Sequence, residues 1–147
     1  MILLRSFVFN VGFYTGTLVL MIVFLPILIL DRNVLPRCGH VWSSMLRWWL
    51  SVAVGVRVEI RGEIPSGPCL IAAKHQSAWE VIEFLRLLPD ACFVLKRELT
   101  WIPIFGWYIS GNRQIVVDRS GGVRALKRML GEAQIALNAG RQIVVFP

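Results

Sequence analysis

Apolar side chains run without a charged interruption from Phe7 to Leu30. At about 1.5 Å of rise per residue this run predicts a helix of roughly 36 Å, enough to cross a hydrocarbon core of ~30 Å with some tilt. Arg5 precedes it and Asp31-Arg32-Asn33 closes it. The run is longer than the apolar core of a secretory signal and no A-x-A-like cleavage site follows, so a retained anchor is expected rather than a cleaved leader. Gly12 and Gly16 form a G-x-x-x-G that would let a second helix approach closely. Pro36 and Gly39 then break the pattern. A second apolar stretch, Val41 to Val56, is interrupted by Arg47 and carries Trp42, Trp48 and Trp49. It predicts a helix packed on the first or lying in a membrane interface, where tryptophan prefers the headgroup level. A buried helix of a soluble domain is the other reading. A re-entrant hairpin would leave both of its ends on one face of the bilayer.

From Arg57 onward, short apolar runs alternate with helical periodicity. Val56 to Ile60 alternates apolar and charged residues, as a half-exposed strand does. Pro65-Ser66-Gly67-Pro68 is a turn, and Cys69 to Ala73 fits a short buried strand. Ser77 with Glu80 three residues on is a capping box opening a helix with Val81, Phe84, Leu85 and Leu88 on its apolar stripe; Pro89-Asp90 ends it. Strands follow at Phe93-Val94-Leu95, Ile115-Val116-Val117 and Ile143 to Phe146. A helix carrying Val123, Leu126, Leu130, Ala133 and Leu137 stops at Asn138-Ala139-Gly140. This is an α/β chain. The expected organisation is a membrane-anchoring helical segment over 1–56 and a second domain over 57–147.

Composition narrows the possibilities. The 147 residues suit one domain, and a mean hydropathy of +0.62 with 56% hydrophobic residues is high for a soluble chain. The formal charge of +7 suits an anionic partner. The arginines are scattered rather than gathered in a stripe, which argues against nucleic acid. Cys38, Cys69 and Cys92 are odd in number and widely spaced, with only His40 and His75 to join them. No zinc site or disulfide framework is expected, and the thiols read as buried and inert.

The chemistry concentrates in Lys74-His75-Gln76-Ser77-Ala78-Trp79-Glu80. A histidine follows a strand at the mouth of a helix whose first turn holds a carboxylate. A carboxylate at one imidazole nitrogen would fix the tautomer and leave the other nitrogen to remove a proton from a hydroxyl. No nucleophile accompanies the pair, so the attacking oxygen would come from the substrate. The same residues also read simply as a capping box beside a loop histidine. Lys96, Arg97, Arg113 and Arg119 lie near strand ends, where cations can hold a phosphate dianion or merely face water.

At this stretch the chain resembles the 1-acylglycerol-3-phosphate acyltransferases, the lysophosphatidate acyltransferases of the glycerolipid acyltransferase superfamily. Their signature is N-H-Q-S-x-W-D; here Glu80 replaces the aspartate and Lys74 the asparagine. A second block, K-x-E-L-x-x-x-P-x-x-G, is matched at every fixed position from Lys96 to Gly106, and Gly111 and Val116-Val117-Asp118-Arg119 resemble its continuation. In the family, the strand ending in V-F-P runs into E-G-T-R, whereas this sequence ends at Pro147. The resemblance implies an N-terminal membrane helix or hairpin followed by a mixed sheet with flanking helices, with the C-terminal part missing. It also implies transfer of a fatty acyl group from acyl-ACP or acyl-CoA to lysophosphatidate, forming phosphatidate. His75 and Glu80 would be catalytic, and Lys96, Glu98, Gly111 and Arg119 would bind substrate. No metal or bound cofactor is implied, and the expected location is the cytoplasmic face of a bacterial inner membrane. The alternatives are an acyltransferase for another lysolipid, such as lyso-ornithine lipid, and an inactive membrane-bound fragment.

Overall fold

The computed structural model describes residues 2–147. Helix α1 (Ile2–Val23) is 22 residues long, about 33 Å at helical rise. It is long and apolar enough to cross a bilayer, and none of its residues is buried. Against the expectation of one helix to Leu30, the uncharged run breaks after Val23. The chain turns at Phe24-Leu25-Pro26 because proline lacks the N–H that a continuing helix needs. A single turn, α2 (Ile27–Leu30), follows. The Asp31 carboxylate then accepts from the Asn33 N–H to open a 3-10 turn at Arg32–Val34. Helix α3 (Leu35–Ala53) has Pro36 in its first turn, where the missing donor costs nothing, and runs on through Gly39.

Helices α1 and α3 form an antiparallel hairpin. The Trp49 indole donates to the Phe9 carbonyl at 3.1 Å, and the Trp42 indole donates to the Thr17 hydroxyl at 3.1 Å. Gly12 lies under the Trp49 ring and Gly16 against the Met45 side chain, so the G-x-x-x-G receives α3. Of the three tryptophans on α3, only Trp48 is exposed.

Residues 55–68 form neither helix nor strand, so the expected strand over Val56 to Ile60 is absent. Alternation is compatible with a strand, but it supplies no neighbour to pair with. Strands β1 (Cys69–Ala72), β2 (Ala91–Lys96), β3 (Ile115–Val117) and β4 (Gln142–Val145) lie in the order β1-β4-β2-β3, with every pairing parallel. The sheet is therefore parallel throughout rather than mixed. Helix α4 (Trp79–Leu87) connects β1 to β2, α5 (Phe105–Gly111) connects β2 to β3, and α6 (Gly122–Asn138) connects β3 to β4. Each connection returns the chain to the amino edge of the sheet. β1 is an edge strand with Leu70 exposed, not the fully buried strand its apolar run suggested.

The pleat sends alternate residues to two cores. On one face Ala91, Phe93 and Val144 pack with Leu88 and with Val81, Phe84 and Leu85 of α4, the predicted stripe. On the other, Cys92, Ile115 and Ile143 pack under Ala136, Met129, Ala133 and Leu137 of α6, while Val123, Leu126 and Leu130 stay exposed. No disulfide joins the three cysteines.

Candidate active site

In a parallel sheet every loop following a strand opens on the carboxyl edge, where α/β proteins place their ligands. His75 follows β1, Phe146 follows β4, Lys96 ends β2 and Arg119 follows β3. All four therefore stand on one edge. Arg113 precedes β3 and falls on the opposite edge, so it leaves the set of candidate phosphate ligands.

The loop after β1 is built by its own polar groups. The Ser77 hydroxyl accepts from the Trp79 N–H at 3.1 Å, and the Glu80 carboxylate accepts from the Ser77 N–H at 2.7 Å; only the carboxylate half of the expected capping box forms, because the helix's N-cap falls at Ala78, one residue later. Glu80 also accepts from the Ser77 hydroxyl at 2.6 Å and from the Gln76 N–H. Desolvation works to raise the Glu80 carboxyl, but these hydrogen bonds from Ser77 and Gln76 outweigh it and hold its pKa down at about 2. An ionised carboxylate thus stands 3.3 Å from His75 Nδ1. Glu80 thus both ties down the loop N–H groups ahead of the helix and faces the imidazole. Nε2 has no partner among the described residues, and the ring is half exposed. Its face stacks on Phe146 with centroids 4.6 Å apart and planes 29° from parallel. A ring fixed by a carboxylate on one nitrogen and open on the other can accept a proton from a hydroxyl presented at the edge.

Lys96 is exposed and registers with Val117, two residues before Arg119. Both cations therefore occupy the β2–β3 side of the edge, with β4 between β2 and β1. Glu98 is exposed in the 3-10 turn Arg97–Trp101. Arg97 is taken up by Asp118 at 3.0 Å, where hydrogen bonds from Ser120 and then from Arg97 lower the carboxyl's pKa. Gly106, the last fixed residue of the second block, passes so close to the Thr100 carbonyl that a Cβ would lie 2.0 Å from its oxygen. Only glycine fits, and the preceding Ile104 takes a positive φ of 65° to make the turn. Gly111 is buried at the end of α5 against Leu28 and Leu35, where it faces the N-terminal helices rather than the sheet edge.

Sequence reasoning did not find Phe146 as the platform for His75; the only signal is its position at the end of the last strand. It also passed over an apolar cavity of about 210 Å³ between the hairpin and the sheet. Leu20 and Met21 of α1, Trp42 of α3, Val81 and Leu85 of α4 and Phe93 of β2 line it. Among the described residues no group of three metal-ligating side chains occurs.

Residues 55–147 match the family model described as Acyltransferase. The chain is 37% identical over 108 residues to the 1-acyl-sn-glycerol-3-phosphate acyltransferase of Pseudomonas aeruginosa, covering 72% of this chain and 42% of that protein. It is 33% identical over 109 residues to the lyso-ornithine lipid O-acyltransferase of the same organism (71% and 41%). It is 30% identical over 149 aligned positions to human 1-acyl-sn-glycerol-3-phosphate acyltransferase alpha (97% and 51%). The chain spans about half the length of these curated relatives, or less. No solved structure matches. With its H-Q-S-x-W-E loop at the carboxyl edge and a family match over its whole α/β portion, the chain belongs to the Acyltransferase family.

Proposed function

We propose that this chain carries the proton-transfer residues of a membrane-held lysophosphatidate acyltransferase. His75 Nε2 removes the proton from the free hydroxyl of the lysolipid while Glu80 holds Nδ1. The oxygen attacks the thioester carbonyl of acyl-ACP or acyl-CoA. The tetrahedral intermediate collapses with loss of the thiolate, and the imidazolium returns its proton to the sulfur. The products are phosphatidate and free thiol, and no metal or cofactor enters. The observation that carries this reading is the 3.3 Å contact of His75 Nδ1 with Glu80, with Nε2 left open.

Lys96 and Arg119 bind the phosphate from the β2–β3 side, with Glu98 beside them. At ~4.8 Å between neighbouring strands, β2 stands roughly 10 Å from β1, a gap that the lysine side chain and the glycerol phosphate bridge together. Gly111 contributes indirectly, by letting α5 seat on the N-terminal helices. The apolar cavity beside Val81 and Leu85 receives acyl chain, and the α1–α3 hairpin holds the sheet edge at the cytoplasmic face of a bacterial inner membrane.

His75→Ala should abolish acyl transfer by the full-length enzyme and leave membrane association intact; turnover retained in that variant would remove the mechanism. The similarity to a lyso-ornithine lipid acyltransferase supports a second acceptor, which carries no phosphate. Lys96→Gln and Arg119→Gln separate the two. Loss of activity with lysophosphatidate supports the first reading, and unchanged activity supports the second.

A further inference from the structure

Arg47 interrupts an otherwise apolar stretch of α3, and the structure gives it a partner on another helix. Its guanidinium lies 3.3 Å from Glu83 of α4, and Arg86 lies 3.1 Å from the same carboxylate oxygen. Glu83 is buried, with 7% of its surface exposed. Glu83 Oε1 and Arg86 Nη2 are both buried and lack a hydrogen-bond partner among the described residues. Arg47 reaches further, to the Val58 carbonyl at 3.4 Å. At the C-terminal end of α4, His40 of α3 contacts the Leu88 carbonyl at 3.0 Å. α3 and α4 therefore run antiparallel, and polar contacts join them at two heights.

Burying the Glu83 charge between two partly exposed guanidinium groups is a poor way to stabilise two packed helices, because apolar residues of similar volume usually do as well or better. What the ion triad supplies is register. Apolar ridges can interlock at more than one axial offset, whereas a shift of α4 along α3 parts the buried Glu83 carboxylate from Arg47 and leaves it Arg86 alone, which travels on the same helix. Glu83 stands three residues beyond Glu80 on the same helix, so the height of α4 on α3 sets the height of the Glu80 carboxylate. The His75 ring is anchored separately, by its stack on Phe146 at the end of β4. The 3.3 Å contact thus joins a carboxylate that α4 carries, and that the Gln76 and Ser77 N–H groups also hold, to a ring that rests on β4.

We infer that Glu83 is a positioning residue, clamped by Arg47 and Arg86 so that the apolar hairpin fixes the axial position of α4 and with it the contact of Glu80 with His75. This rests on the proposed role of that pair, but its test does not depend on turnover. The whole chain, labelled with 15N-histidine and reconstituted in phosphatidylcholine–phosphatidylglycerol nanodiscs, reports the neutral tautomer of His75 by long-range 1H–15N correlation; His75→Gln assigns the signal. In the unmodified chain the Nδ1–H form predominates, because Nδ1 donates to Glu80. Arg47→Met, Glu83→Leu and Arg86→Met are combined to remove every charge of the triad and leave a packed apolar contact. The Nδ1–H share then falls to the level found in Glu80→Ala. Glu83→Asp, which keeps the charge and shortens its reach, gives an intermediate share. A tautomer share unchanged from the unmodified chain in the folded triple variant overturns the inference. So does unfolding of that variant, since the triad would then be a requirement of the fold and not of the site's geometry.

Discussion

The imidazole of His75 stacks on the phenyl ring of Phe146, with centroids 4.6 Å apart and planes 29° from parallel. Phe146 in turn lies 6.4 Å from Phe93 with planes 11° apart, and 6.3 Å from Phe84. The half-exposed ring of the candidate base is thus the outermost layer of an aromatic stack rooted in the core. Replacing Phe146 with alanine should cost about 2–3 kcal/mol, below the ~3–5 kcal/mol of a fully buried phenylalanine because this one is only partly buried. Urea denaturation measures that cost. Phe146→Leu should recover most of the stability but not the stacked support. In acyl-transfer assays, kcat should therefore stay depressed in Phe146→Leu while stability returns, and a full recovery of both would show that the stack has no part in positioning the base.

Glu80 sets the acid limit of the loop. Its carboxyl sits at about 2 in the folded chain against an ordinary value of 4.5, so folding favours the ionised form. The stabilisation is complete above about pH 4.5, declines as the pH falls, and is gone below 2. Ser77→Ala removes the hydroxyl that donates at 2.6 Å. The Glu80 pKa should rise toward its ordinary value, read by the 13C shift of its carboxyl. An unchanged titration would mean that the backbone N–H groups of Gln76 and Ser77 alone hold the charge.

Much of this was legible in the chain itself. The capping box placed Glu80 in the first turn of α4, close enough to His75 for the contact to follow from local geometry. The strand Ile115–Val117 and the helix ending at Asn138 stand where their patterns put them. Long-range relations were not legible. Val56 to Ile60 has the alternation of a strand, but β4 takes the position beside β1, and nothing pairs with that segment. Phe146 meets His75 only because β1 and β4 are neighbours, which order along the chain does not reveal. Arg113 is instructive in the opposite direction. In an all-parallel sheet a residue before a strand is on the edge away from a residue after one, but while a mixed sheet was expected that rule could not be applied.

The hairpin depends on Gly12. A Cβ at that position would lie 2.2 Å from the Trp49 Nε1, which is held in place by its bond to the Phe9 carbonyl. Gly12→Ala should therefore push the indole out and break that bond, at a cost of about 1–3 kcal/mol typical of overpacking. The accompanying change is a red shift in Trp49 emission, isolated by comparison with Trp49→Phe. Gly12→Ala in the Trp49→Phe background should cost less than in the unmodified chain, because the smaller ring can yield. Equal costs in the two backgrounds would place the strain elsewhere.

The amino edge of the sheet is tied by Arg141, whose side chain is 10% exposed. Its guanidinium makes two 2.9 Å bonds to the Asp90 carboxylate and donates to the carbonyls of Arg113 at 2.8 Å and Asn112 at 3.2 Å. One planar cation thus joins the turn before β2, the turn before β3 and the start of β4. Arg113 adopts a positive φ of 48° to offer its carbonyl. Arg141→Met keeps most of the apolar volume but leaves those acceptors without a donor. It should cost about 2–4 kcal/mol, less than the ~3–5 kcal/mol for breaking a fully buried pair, because Asp90 can rehydrate. Arg141→Lys should recover little, since an ammonium cannot bond the carboxylate in two places and reach both carbonyls as well. Asp90→Asn, which leaves the guanidinium its carbonyl partners, should cost only about 1 kcal/mol. A larger loss from Asp90→Asn than from Arg141→Met, measured by thermal unfolding of the three variants side by side, would show that the ion pair and not the carbonyl bridge holds this edge.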